Sequence, residues 1–155
     1  MQLIGIQYKM EMTINDIIPK SHMDARNLWN GIYKTSHFWD DLIDKDHKSE
    51  YVHDVLWFLL AELPVNAFYV KHFGILQPAI THACMTYIVS TKLEKNKERL
   101  DIAHVLRYEL GAVLLQIALI IHGKQFIMDY GDKIYKLILM EDSLEDYIKE
   151  QENKS

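Results

Sequence analysis

Residues Gly111–Gly123 read GAVLLQIALIIHG, and only Gln116 and His122 in this stretch are polar. A helix that is apolar on every side, with no polar stripe, belongs in the middle of a protein. The longest apolar run, Leu110–Ile121, is interrupted by Gln116 and is too short to span a bilayer. Gly123 suits the left-handed residue that ends a helix. The stretch therefore predicts a central buried helix, and the chain around it is read as a helical bundle.

Working outward, the polar segment Lys92–Arg99, KLEKNKER, predicts the tip of a helical hairpin. The outgoing arm is expected to carry Pro78 in its first turn and to show Ile80, Cys84, Tyr87, Ile88 and Thr91 on one face. Before it, Asn66 is the N-cap of a short helix within AFYVKHFGIL, and Pro64 stops a preceding helix that Ser49 opens. That preceding helix carries Val52, Val55, Leu56, Leu59, Leu60 and Leu63 at helical spacing. Leu28, Ile32, Thr35 and Trp39 predict a first helix over about residues 22–43. Downstream, a helix is expected at about Phe126–Leu139 and a short one from Ser143, where Asp142 and Glu145 have capping-box spacing. The expected fold is all-α: a single-domain bundle of five to seven helices with a long central helical hairpin. Residues 1–20 form an N-terminal arm of uncertain structure, and 21–155 form one domain with an acidic C-terminal helix or tail.

Composition agrees with this reading. With 155 residues the chain falls in the size range of one domain, and 49% hydrophobic against 25% charged residues argues against disorder. Six glycines and three prolines are few turn formers, which favours long elements joined by short loops. Cys84 is the sole cysteine, so neither an internal disulfide nor a Cys-rich zinc site can form, and a reducing cytoplasm fits. The opening MQLIGIQYKMEM has no basic segment before a long apolar one, so no signal peptide, and no association with a membrane, is expected. Of the net charge of −5, residues 40–50 carry −3 and residues 141–155 carry −4. The remainder has no dense basic stripe, which argues against a nucleic-acid partner.

The chemistry-bearing segment is Phe38–Lys48, FWDDLIDKDHK. On a helix, Asp40 and Asp44 are four apart and Asp41 and Asp44 three apart, so three carboxylates can share one face. Oxygen ligands of this kind suit Mg²⁺, which would relieve their mutual repulsion; a hydrated acidic helix end is the plainer alternative. A second candidate metal set is Glu50, His53, Asp101 and His104, two pairs with the Glu-x-x-His spacing of di-metal bundles, one with Asp in place of Glu. The His53-Asp54 dipeptide is similar to the metal-binding pair of HD phosphohydrolases. His122 is read as a terminal histidine bonding a free carbonyl, and Cys84 as a small buried hydrophobe. Trp29, Trp39 and Tyr130 are expected to be exposed aromatics forming an interaction surface. Phosphate-binding glycine loops and a nucleophile elbow do not occur in the sequence.

The DDLID pattern resembles the D-D-x-x-D motif of isoprenoid synthases, which binds Mg²⁺ and diphosphate on a helical fold. The resemblance covers five residues, the chain is about half the length such a bundle uses, and the family's second metal motif does not occur. Together, FWDDLIDKD, AELPVNAFYVKHFGILQPAI and ALIIHG resemble a group of small phage-encoded helical proteins of unestablished function. This likeness spans about Phe38–Gly123 and includes the break formed by Leu63, Pro64, Asn66 and Phe68. It implies expression in a bacterial host cytoplasm and brings no activity with it. Two functions are expected from this set. One is a soluble, non-catalytic and oligomeric accessory protein that binds a host or phage protein or a small ligand, with no cofactor. The other is a Mg²⁺-dependent enzyme acting on a phosphate or diphosphate ester through Asp40, Asp41 and Asp44.

Overall fold

The computed structural model describes residues 11–46, 49–139 and 143–154. Within them the fold is all-α, without a strand. The helical segments are α1 (Ile14–Ile17), α2 (Met23–Asp44), α3 (Glu50–Trp57), α4 (Ala67–Lys71), α5 (Phe73–Asn96), α6 (Leu100–Arg107), α7 (Leu110–His122), α8 (Lys124–Leu139) and α9 (Leu144–Asn153). A π-helical turn (Phe58–Glu62) and a 3₁₀ turn (Leu63–Val65) join α3 to α4.

The middle of the protein is α7, whose Gly111, Val113, Leu114, Ile117 and Ala118 are buried. It lies between α5 and α8 and also touches α2. Leu28, Trp29 and Ile32 of α2, Leu76 of α5 and Ile134 of α8 complete one continuous core. Gly123 (φ +87°) takes the left-handed backbone that reverses the chain from α7 directly into α8. Leu100–His122 taken as one stretch is apolar enough, by length and composition, to cross a membrane. The chain turns within it at Tyr108, however, so α6 and α7 pack as separate helices.

The segment before α2 joins this core. Ile17 and Ile18 are fully buried, and their carbonyls are bonded from two directions. His122 Nε2 donates to the Ile17 carbonyl at 2.8 Å, and Arg26 Nε and Nη2 donate to that of Ile18 at 3.1 and 3.0 Å. The histidine at the end of the apolar helix thus satisfies a free carbonyl, as expected, though that carbonyl belongs to the end of α1 and not to its own helix.

Caps and breaks fall close to the expected places. Asn66 accepts from the Tyr69 N–H at 2.9 Å and opens α4. Ser49 precedes α3 without a side-chain cap bond. Ser143 caps α9 by accepting from Asp146 N–H at 3.1 Å, while Asp142 lies outside the described residues. Pro78 does not open its helix: α5 starts five residues earlier, when Ile75 and Leu76 bond back to the His72 carbonyl at 3.0 and 2.9 Å. At the far end, Lys97 and Arg99 adopt left-handed backbone and turn α5 over into α6. Asp101 accepts two bonds from the Arg99 guanidinium, at 3.1 and 3.0 Å, and fixes that turn.

The π turn has the largest effect on the surroundings. Leu63 N–H reaches back five residues to the Phe58 carbonyl, so one extra residue occupies the turn. Val55 and Phe58, three apart, face inward, whereas Leu56, ahead of the turn, and Leu60, four residues on, both expected on the apolar face, stand 48% and 76% exposed. Phe58 turns its ring against Gly31 of α2, where only the absence of a side chain leaves room.

Candidate functional site

A cavity of about 580 Å³ opens between α2, the π turn, α5 and the α6–α7 corner, with Ile138 of α8 and Glu150 of α9 at its edge. This volume lies within the range of small-molecule sites. Each wall follows from a helical stripe. Gln77, Ile80, Ala83, Cys84 and Tyr87 recur at spacings of three and four along α5, while α2 contributes Ile32, Tyr33, Trp39 and Asp40. Phe58, Leu59 and Leu63 come from the π turn and its continuation. A smaller cavity of about 250 Å³, bordered by Asp24, Trp57 and Glu62, lies at the same element, and Phe58 lines both.

The large cavity is mostly apolar, and its charges gather at one end. Arg107 Nη2 donates to both oxygens of Asp40 at 3.1 Å, and Nη1 to Glu94 Oε1 at 3.4 Å. Tyr87 donates its hydroxyl to Asp40 Oδ1 at 2.7 Å, and Tyr147 donates to Glu94 Oε1 at 2.6 Å. The guanidinium carbon lies 5.6 Å from the centre of the Tyr108 ring and 5.3 Å from that of Tyr147. Burial disfavours the Arg107 charge, but Asp40 and Glu94 outweigh it and hold its pKa above the ordinary value. Burial, then the bonds donated to carboxylates, pushes the Tyr87 and Tyr147 hydroxyls upward, so both remain proton donors. Glu94 is also raised, by burial, against the lowering effect of Tyr147 and Arg107. At the rim, Lys154 pairs with Glu150 at 3.1 Å and Asp44 at 3.6 Å.

The three aspartates singled out by sequence take different roles. Asp40 is the partner of Arg107 and Tyr87, and Asp44 meets Lys154. Asp41 helps to end α2, its carbonyl accepting from Asp46 N–H at 2.8 Å. Glu50 and His53 are exposed on α3, Asp101 is engaged by Arg99, and His104 is buried with its ring 4.9 Å from that of Tyr147. Among the described residues, no three His, Cys, Asp or Glu side chains form a group that could hold a metal ion. Cys84 lines the cavity half-buried, and burial raises its thiol pKa, which reduces thiolate reactivity.

The three expected surface aromatics also separate. Trp29 is only 5% exposed, because its helical spacing with Leu28 and Ile32 turns it into the core, and it is not a surface residue. Trp39 is half-buried and lines the cavity, meeting Tyr87 edge-on with ring centres 4.9 Å apart. Tyr130 is exposed, its ring tilted against that of Phe126 with centres 4.9 Å apart and Lys133 Nζ 5.5 Å from its centre.

Sequence reasoning missed Arg107, Glu94 and Tyr147. A signal for the first did exist: Arg107 follows the buried Ala103 and His104 at spacings of four and three, which places a cation on the inward face of α6. Comparison with protein-family models, with curated proteins and with solved structures finds no match.

Proposed function

We propose that this chain is a small phage-type accessory protein of a bacterial host cytoplasm that acts without catalysis, by holding a small ligand in the 580 Å³ cavity. The observation that carries this reading is the lining: long apolar walls with a few fixed polar groups at one end, the usual composition of a small-molecule site. The likeness of Phe38–Gly123 to small phage-encoded helical proteins supports the setting. No resident cofactor is required.

A neutral polarity-sensitive dye, N-phenyl-1-naphthylamine, tests it. The wild-type chain is expected to take up the dye with a rise in fluorescence. Cys84→Phe, which fills the cavity from the α5 wall, is expected to weaken uptake about tenfold, corresponding to roughly 1.4 kcal/mol. Absence of uptake by the folded wild type, or uptake unaffected by the filling, would count against the cavity as a ligand site.

A second reading, self-association, is favoured by the apolar outer side of the segment that carries the π turn. Trp57, Leu60 and Val65 are 65%, 76% and 76% exposed, and Val70 and Phe73 follow on α4 and α5. Clustered exposed apolar residues of this size mark contact surfaces in folded proteins. Sedimentation velocity is expected to show a dimer or larger species, reduced to monomer by Leu60→Glu. A monomeric wild type at tens of micromolar ends this reading.

A further inference from the structure

The charged end of the cavity defines what kind of ligand it accepts, provided that the cavity is a ligand site as argued above. Among the described residues, Arg107 is the one arginine or lysine lining the cavity, and it would ordinarily suggest an anionic ligand. Both of its terminal nitrogens already face carboxylates: Nη2 bridges both Asp40 oxygens and Nη1 reaches Glu94, with the Tyr108 and Tyr147 rings 5.6 and 5.3 Å from the guanidinium carbon. An anion placed here would also meet the two carboxylates that hold the guanidinium. Counting Asp40, Asp44, Glu94 and Glu150 against Arg107 and Lys154, this end carries two formal negative charges.

Asp40 can accept more than it receives. Its Oδ1 takes the Tyr87 hydroxyl and an Arg107 bond, while its Oδ2 takes only Arg107 among the described residues, leaving acceptor capacity on a side chain 30% exposed. Beside it, Trp39 and Tyr87 meet edge-on at the cavity wall, and Tyr33 and Tyr108 are further aromatic residues in the lining. The negative faces of aromatic rings attract a soft organic cation. From this end the α5 wall runs back past Cys84, Ala83 and Ile80 to Gln77, about 15 Å along the helix, room for an apolar body.

We propose that the cavity binds an amphiphilic organic cation, its ammonium group against Asp40 and the Trp39–Tyr87 pair and its apolar body along the Ile80–Cys84 wall. The ligand is bound without covalent change.

Three matched probes decide this by titration calorimetry at pH 7 and low salt: 4-phenylbutylammonium, 4-phenylbutanol and 4-phenylbutanoate. The ammonium compound is expected to bind about tenfold or more tighter than the alcohol, with the carboxylate weakest. Asp40→Asn is expected to remove that preference. Because this change also disturbs the Arg107 pairing, Trp39→Leu serves as the second variant; it leaves the ion pair in place and is expected to reduce the preference for the cation several-fold. An alcohol or carboxylate that binds as well as the ammonium overturns the proposed ligand class, while the cavity stands. An ammonium compound that does not bind overturns it as well. If N-phenyl-1-naphthylamine is also not taken up, the cavity reading falls with it.

Discussion

Gly31→Ala is expected to lower the melting temperature by roughly 5–10 °C, from an overpacking cost of about 2–3 kcal/mol in a chain of this size. A β-carbon at position 31 would lie 2.1–2.3 Å from three carbons of the Phe58 ring. Unbonded carbons sit about 3.5–4.0 Å apart at their optimum, so the ring must move by more than an ångström. It is only 6% exposed and is tied to the π turn, and its open sides are the large and the small cavity it lines. Alanine at 31 should therefore push Phe58 towards one of these spaces at a cost in stability, and a fall in dye uptake alongside the lower melt would show that the ring enters the larger one. Phe58→Ala in the same chain removes the clash, and the two changes should cost less together than the sum of each alone. Calorimetric melts of the four proteins in the cycle measure this coupling. Strict additivity would show that Phe58 does not sit on Gly31.

Arg107→Met is expected to cost about 3 kcal/mol or more at neutral pH, a loss of roughly 6–12 °C. Methionine conserves much of the volume but leaves Asp40 and Glu94 without their shared cation in a largely buried place. The lower end of the range for broken buried pairs applies because Asp40 retains some contact with water. The pH dependence has a definite sign. Burial raises the Glu94 pKa in the folded protein even with Arg107 present, and removing the cation raises it further. A carboxyl whose folded pKa exceeds its unfolded value, about 4.3, adds stability below that value and loses it as pH rises through the folded pKa. The gap between variant and wild type should thus be small in acid and widen towards neutrality, and Glu94→Gln should restore part of the loss. Denaturant melts at several pH values check both statements. A gap that narrows on approaching pH 7 would contradict the assignment of Glu94.

Much of the fold was legible because its signals are local. GAVLLQIALIIHG forms the central helix, with Gly111, Val113, Leu114, Ile117 and Ala118 buried and Leu119 exposed, Asn66 caps the helix it was expected to cap, and Gly123 turns the chain with positive φ. Two misplacements have separate physical causes. Among the apolar positions after Val55 too wide a face was assigned to the core: Phe58, three residues on from Val55, turns inward, while Leu56 and Leu60, four apart, share the exposed side. Pro78 resembles a helix start because its missing N–H is harmless there, yet a proline can also sit within a helix already begun, as in α5. The site was legible only in its members. Asp40, Trp39, Cys84 and Tyr87 all appear as notable residues in the sequence. Their grouping depends on Arg107, 67 positions beyond Asp40, and no spacing rule links residues so far apart.

The π turn has a further consequence in the language of insertions and deletions. Such a turn holds one residue more than the helix around it needs. Removing a single residue between Phe58 and Leu63 would restore ordinary four-residue bonding and rotate everything beyond it by about 100°. Leu63 would leave the cavity wall, and Pro64 and Asn66 would present α4 from another side. The cavity is thus one in-frame codon away from an unbroken helix, so this short segment should tolerate substitutions far better than changes in length.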